Sequence, residues 1–463
     1  MLNHQPFIIL FRTILLINQL IIPTSTSNLE FQLYKRSTSQ NRFIHAKSKL
    51  INKYSSTTST TSLQKRQISV PIISNLSNPS SSSTTTTNTG TYLHNSTVRG
   101  VSDGRGGVIG LQPTYNFQAD LEYFITIQIG TDSPQSLNII LDTGSSDFWV
   151  TSQNCTLQSG CDSNLLSKFD SSLSNSTNTP FSIKYGSGSA TGKSFIDNIT
   201  FAGYHLTNQQ FGVVDTVSSE LLSKDVSGLM GLGFQTLSSS GIKPLWQSLL
   251  SNPTQYNLSF PGFSFALTRF INQTNASEIE PGGLFTIGTL NTSLLEGEIE
   301  FIPLPIGLES YWLIPMESIS VNGFSLDLSK QRTKNVAIDT GTTLIGGPAD
   351  EVAGFYKQIP GALPATGSYQ GYYSYPCNSS VNLNFKFGTR NYSMTSQDFN
   401  LGPFPGNPTT TTTNTSSSSS SSSSGGGSAG NPSMCLGAVF ELTLAGASKD
   451  LISWVIGDSF LKK

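Results

Sequence analysis

Two stretches decide how this chain reads: Ile139-Ile-Leu-Asp142-Thr143-Gly144-Ser145-Ser146 and, 197 residues later, Val336-Ala-Ile-Asp339-Thr340-Gly341-Thr342-Thr343. Each is an apolar run that reads as a strand, then a sharp turn at Asp-Thr-Gly, then two hydroxyl residues. A single Asp between a strand and a glycine is an ordinary turn former, its carboxylate bonded to nearby backbone N–H groups. At average composition one Asp-Thr-Gly arises by chance in on the order of one chain in ten of this length. Two copies that share the strand before and the hydroxyl pair after form an internal repeat, and the repeat predicts two similar β lobes.

The apolar lead-in strands bury each Asp where the lobes would meet. Two carboxylates brought together there cannot both ionise cheaply, so one keeps its proton while the other stays charged. Such a pair can activate a water on one side and protonate a carbonyl oxygen on the other. That chemistry is acid–base hydrolysis, and it calls for neither a metal nor a cofactor.

The sequence around the repeat is also β in character. From Tyr123 onward, short runs of alternating or β-branched residues such as Tyr123-Phe-Ile-Thr-Ile-Gln-Ile129 and Phe211-Gly-Val-Val214 are punctuated by Gly, Asn and Ser. The expectation is a mostly β body with few helices.

With these segments in view, the chain resembles the pepsin-like aspartic proteases from about Tyr123 to Lys463. The resemblance rests on both Asp-Thr-Gly motifs, Phe148-Trp149-Val150, Tyr185-Gly-Ser-Gly188, Gly228-Leu-Met-Gly-Leu-Gly233 and Trp454-Val-Ile-Gly-Asp458, all in the family's order. It implies a two-lobed acid protease fold with the active site in the cleft between lobes, and endopeptidase activity on extended polypeptides at acid pH. Asp142 and Asp339 match the catalytic pair. Thr143 and Thr340 match threonines that tie the two catalytic loops together, and Gly144 and Gly341 match glycines that let the backbone approach the carboxylates. Ser145 and Thr342 match hydroxyls that bond the outer carboxylate oxygens. Tyr185, Gly186 and Ser187 match a β-hairpin flap that closes over substrate, and Trp149 matches the tryptophan that steadies it. Without the motif context, core packing would be the preferred reading of Tyr185 and Trp149. Ile140, Leu229 and Tyr185 match the wall of the pocket for the residue before the cut. Ser187 stands where some fungal relatives carry Asp, the variant linked to accepting Lys there, so apolar or aromatic residues are expected on both sides of the scissile bond.

Composition bounds the partners and the compartment. The 463 residues allow two or three domains. Lys+Arg 26 against Asp+Glu 28 gives a net charge of −2, which does not suggest nucleic acid as a partner. The average hides an asymmetry: residues 28–66 hold eight basic residues against Glu30 alone. Residues 1–66 together carry nine basic residues and one acid, leaving 17 basic against 27 acidic residues and a balance of −10 in the remainder. Given the resemblance, the basic segment 28–66 reads as an inhibitory propeptide held to an acidic body by ion pairs that acid would release. The plain alternative is a basic spacer. The dibasic Lys65-Arg66 suggests processing there, with Arg99 or Arg105 as later candidates.

Residues 1–27 read as a signal peptide, with Arg12 ahead of the apolar run Ile14 to Ile22 and small residues after it. The uncleaved anchor is the alternative. A dozen N-x-S/T sequons also fit an exported chain, secreted or extracellular, with a cell wall or vacuole as further destinations. The four cysteines allow three pairings. Cys155 with Cys161 would close a small loop and Cys377 with Cys435 a larger one, and neither spacing suggests a metal site. Residues 67–118 read as a Ser/Thr-rich disordered extension, 119–300 as the N-terminal lobe and 301–463 as the C-terminal lobe, with a low-complexity insertion at 408–431. The chain stops at Phe460-Leu-Lys-Lys463, where family members continue with further strands, so the sequence reads as truncated. A soluble monomer after signal removal is the family default.

Other chemistries fare poorly. After residue 66 only His94 and His205 are present, which argues against a His-rich metal site, and no phosphate-binding glycine loop occurs. The rival that remains is a catalytically inactive pepsin-like binding or inhibitor glycoprotein. The presence of both aspartates, both threonines and the flap tyrosine favours the enzyme.

Overall fold

The computed structural model describes residues 110–161, 167–185, 188–218, 221–223, 225–291, 294–295, 299–404, 433–444 and 448–462, together with 7–9, 46–47, 50 and 53–54. The rest of the proposed signal segment, of the basic segment and of the extension lies outside the described residues, as does the low-complexity insertion.

Local sequence accounts for the strands. In Glu122–Ile129 the buried positions are aromatic or Ile, in Gln135–Asp142 they are Leu and Ile up to Asp142, and the two strands pair in register from Phe124 opposite Ile140 to Ile129 opposite Gln135. The long strands Gly188–Phe201 and Tyr204–Val217 are joined by Ala202-Gly203, both at positive φ (49° and 78°), as a two-residue hairpin turn requires.

Ten strands form the first sheet. Its order is Phe263–Leu267, Ile279–Ile287, Leu111–Phe117, Glu122–Ile129, Gln135–Asp142, Gly228–Gly231, Phe148–Thr151, Tyr204–Val217, Gly188–Phe201 and Asn175–Tyr185. The second lobe is built on an eight-stranded sheet centred on Leu313–Val321, Asn335–Ile338, Trp454–Ile456 and Ile345–Gly347, with a four-stranded sheet that includes Tyr373–Pro376 and Met434–Gly437.

The sequence repeat is a repeat of topology. In the first lobe Gly228–Gly231 lies between the strands that flank the first Asp-Thr-Gly turn, parallel to Gln135–Asp142 and antiparallel to Phe148–Thr151. In the second lobe Trp454–Ile456 does the same, parallel to Asn335–Ile338 and antiparallel to Ile345–Gly347. The glycines of the two inserted segments are needed for this close approach: a Cβ at Gly231 would strike the Ser146 backbone, and one at Gly457 the carbonyls of Thr342 and Leu344.

The lobes are joined by an aromatic cluster of Phe234, Trp246, Phe263 and Trp312, with ring centroids 4.8–5.7 Å apart in the contacting pairs. Trp312 Nε1 donates to the Leu232 carbonyl at 2.8 Å and Phe234 N to the Ser310 carbonyl at 2.9 Å. Both cysteine pairs are disulfides, Cys155–Cys161 and Cys377–Cys435.

One boundary moves. Leu111–Phe117, placed in the disordered extension by composition, is a strand of the first lobe. Its sheet partners include Ile279–Ile287, far away in sequence, so local composition carried no sign of it. Phe7–Ile9, inside the proposed signal segment, pairs with Phe301–Pro303.

Candidate active site

The two Asp-Thr-Gly turns end their strands facing one another. Thr143 Oγ1 donates to the Ile338 carbonyl at 2.8 Å, and Thr340 Oγ1 donates to the Leu141 carbonyl at 2.7 Å. Each hydroxyl also accepts from the other threonine's backbone N–H, at 2.9 Å to Thr143 Oγ1 and 3.2 Å to Thr340 Oγ1. The tie is reciprocal, so neither turn can shift without breaking bonds in the other.

That tie brings the carboxylates together in matching cradles. Asp142 Oδ1 accepts from Gly144 N at 2.8 Å and its Oδ2 from Ser145 Oγ at 2.6 Å. Asp339 Oδ1 accepts from Gly341 N at 2.9 Å and its Oδ2 from Thr342 Oγ1 at 2.6 Å. The exposure of Asp142 is 2% and of Asp339 0%. Gly144 and Gly341 are required by the opposite carboxylate: a Cβ on Gly144 would lie 2.6 Å from Asp339 Oδ1, and one on Gly341 would collide with Asp142 Oδ1.

Two residues of the basic segment fill the space in front of this pair. Lys53 Nζ lies 2.6 Å from Asp142 Oδ1 and 2.9 Å from both oxygens of Asp339, and Tyr54 OH donates to Asp339 Oδ2 at 3.0 Å. The Tyr54 ring packs 5.2 Å from that of Tyr311. Burial would discharge the Lys53 ammonium, but the two carboxylates outweigh it and hold the pKa above its ordinary value. Burial lifts the Asp142 carboxyl, an effect only partly offset by Lys53 and reinforced by the neighbouring Asp339. Burial also acts on Asp339, yet Lys53 and the Thr342 hydroxyl draw it below the ordinary range. The pair therefore divides, with its first proton resting on Asp142.

Above the pair, Tyr185 ends the strand Asn175–Tyr185 and pairs with Gly188 across the tip of the hairpin. Gly186 and Ser187 lie outside the described residues. The fully buried Trp149 donates its indole N–H to Tyr185 OH at 2.7 Å. Ile140 and Leu229 are sheet neighbours, and together with Trp149, Phe181 and Ile183 they form a small apolar cluster against which Tyr185 packs. The structure thus brings Ile140, Leu229 and Tyr185 to one wall.

The sequence reading named the basic segment but missed Lys53 and Tyr54 individually. A signal was present. Ala46, Leu50 and Tyr54 recur at every fourth residue, are helical and are buried at 9%, 1% and 0% exposure. A cavity of about 1160 Å³ lies away from the dyad, lined among others by Phe265, Arg269, Tyr375 and Pro403. Among the described residues no cluster of His, Cys, Asp or Glu is placed to hold a metal ion, and no helix is long and apolar enough to cross a membrane.

A fold of two repeated lobes meeting at paired Asp-Thr-Gly turns defines a class, and comparison with known families gives the same answer. The chain belongs to the eukaryotic aspartyl protease family, whose model matches residues 122–463. Among individual relatives it is 36% identical to the major aspartyl peptidase 1 of Cryptococcus neoformans var. grubii, over 74% of this chain and 65% of that protein. It is 35% identical to an aspartic protease of Phaffia rhodozyma, over 58% of this chain and 62% of that protein. Pepsin A of Suncus murinus is 34% identical, over 55% of this chain and 62% of that protein. The chain thus spans just under two thirds of the length of these relatives.

Proposed function

We propose that the protein is an aspartic endopeptidase that hydrolyses extended polypeptides at acid pH and is made as a secreted precursor inhibited by its own basic segment. The observation that carries this reading is the pair Asp142 and Asp339, buried side by side in matching hydrogen-bond cradles. Family membership and the names of its relatives support it.

In the reaction we infer, the pair enters with one proton between its two carboxyl groups. A water lies between them, and the ionised carboxylate takes one of its protons as the oxygen attacks the peptide carbonyl carbon. The protonated carboxyl gives its proton to the carbonyl oxygen, forming a neutral tetrahedral diol. Collapse breaks the C–N bond: the nitrogen gains a proton from the acidic partner, and a diol hydroxyl returns one to the pair. Thr143 and Thr340 keep the carboxylates in register, while Ser145 and Thr342 orient their outer oxygens. Tyr185, steadied by Trp149, covers the substrate and excludes water, and Ile140 and Leu229 favour an apolar residue before the cut.

The precursor reading rests on Lys53 and Tyr54. A lysine between two carboxylates neutralises them and occupies the place where the water and the scissile bond belong. Protonating the carboxylates removes the attraction, so acid frees the cleft.

The test is casein cleavage at about pH 3.5, below the ordinary carboxylate range, by the chain and by Asp142→Asn, with the N-terminus of each followed over time. The reading expects acid-dependent cleavage and N-terminal trimming in the parent alone. Equal cleavage by a folded Asp142→Asn would overturn it.

A further inference from the structure

The basic segment puts a second cation into the body of the protein. Lys47 Nζ sits 5.1 Å from the centroid of the Tyr372 ring and 5.6 Å from that of Phe440, and it donates to the Gln370 carbonyl. Burial draws its pKa below the ordinary lysine value, and Glu441 beside it offsets that only in part. Glu441 is itself held by Tyr373 OH, which donates to it at 2.8 Å. The walls belong to the second lobe and are rigid: Tyr372 and Phe440 are both 0% exposed and stack at 5.4 Å. Gly371, at φ 83°, leaves the floor open, and a Cβ there would collide with the ammonium. Two aromatic faces, a carbonyl and a carboxylate around one point suit a cation and suit a neutral chain poorly.

We propose that Gln370, Tyr372, Phe440 and Glu441 form a subsite for a Lys or Arg side chain of the substrate, which Lys47 occupies until the basic segment leaves. The proposal rests on the peptidase and precursor reading above. Lys47 and Lys53 belong to one segment, and the six residues from 47 to 53 span at most about 20 Å. A substrate lying along the same groove with its scissile bond at the dyad therefore reaches this subsite within about six residues of the cut. The subsite is separate from the apolar wall of Ile140, Leu229 and Tyr185, so it adds a basic preference at a distance without changing the preference at the cut. When an apolar residue occupies the position, the Gln370 carbonyl loses its donor, and that loss gives the discrimination its sign.

The protein is activated in acid, freed of the basic segment and assayed at about pH 5, where an ordinary carboxylate is ionised. The substrates are two sets of fluorogenic peptides, identical except for Lys or norleucine placed in turn at each of the second to sixth positions on either side of the cut. The expected result is one position at which Lys raises kcat/KM about 5- to 10-fold over norleucine, with the ratio falling towards one in both Glu441→Gln and Phe440→Leu. Efficient cleavage of both sets with a ratio near one everywhere overturns the subsite and leaves the peptidase reading standing. A preference that keeps its full size in both variants places the cation site elsewhere and also overturns the proposal. No cleavage of either set overturns the peptidase reading and the subsite with it.

Discussion

Lys462 and Asp120 form an ion pair at 2.7 Å in which each side chain is 1% exposed, joining the end of the second lobe to a turn of the first. Asp120 also accepts from Asn116 Nδ2 at 2.6 Å, Phe270 N at 2.7 Å and Ile271 N at 3.0 Å. Burial would raise its carboxyl, but Lys462 and these donors outweigh burial and hold it below the ordinary range. Lys462→Met leaves a buried carboxylate without its cation, at a cost of about 3 kcal/mol, and lowers the thermal midpoint by roughly 6–12 °C. Because the folded-state pKa is depressed, this stabilisation is present above the ordinary value near 3.9 and is lost as pH falls through the depressed one. Calorimetry across the acid range is expected to show the parent and variant midpoints converging below that value.

Lys53→Met removes the cation that bridges Asp142 and Asp339. Charge-assisted hydrogen bonds of this kind contribute about 2 kcal/mol, so docking of the basic segment weakens by roughly 30-fold. The unprocessed variant is expected to bind an immobilised active-site inhibitor at a pH where the parent does not. Equal capture across the pH range would show that Lys53 does not guard the cleft.

On the precursor reading proposed above, the depressed pKa of Asp339 sets the order of acid release. Its contribution to holding Lys53 is present above the ordinary carboxylate range and lost as pH falls through the lowered value, whereas Asp142, already raised, gives up its charge first. Thr342→Ala removes the hydroxyl that donates to Asp339 Oδ2, so Asp339 takes up its proton at higher pH. The midpoint of acid activation is expected to move upward in this variant, as followed by N-terminal trimming.

Thr143 and Thr340 act as one unit because each hydroxyl accepts from the other's backbone. Thr143→Ala and Thr340→Ala are each expected to cost about 1–2 kcal/mol of unfolding free energy. The double variant is expected to cost less than the sum, with a coupling of at least about 0.5 kcal/mol. Additive losses in urea unfolding would show that the two turns are held independently.

Trp149 and Tyr185 share one hydrogen bond beside the tip of the hairpin. Tyr185→Phe leaves the buried indole N–H unpaired, which costs about 1–3 kcal/mol. Peptide hydrolysis is expected to fall about 10-fold or more in kcat/KM, and adding Trp149→Phe is expected to bring little further loss.

Much of the site was legible in the chain because its logic is local and repeated. An apolar strand, an Asp-Thr-Gly turn and a hydroxyl three residues past the aspartate all show in a short window. Their duplication announced two lobes. The flap tyrosine and its tryptophan came from motif context, since neither residue type alone departs from core packing. Other features depend on residues that are distant in sequence. Leu111–Phe117 is short and carries a proline; its neighbour in sequence, Glu122–Ile129, meets it only from Tyr115 to Phe117, and pairing along its whole length comes from the distant Ile279–Ile287. The partner of Lys462 lies 342 residues away, and no local pattern connects it with Asp120.

By itself, then, the sequence determined the β class, the two-lobed repeat, the aspartate pair with its supporting hydroxyls and the charge contrast between the basic segment and the body. Tertiary structure alone decided which lysine enters the cleft, which aspartate is raised and which lowered, and where Lys47 finds two aromatic faces and a carboxylate. The reason is physical: strands and turns are written in neighbouring residues, whereas burial, charge coupling and cation binding arise only when groups far apart in the chain are packed together and shielded from water.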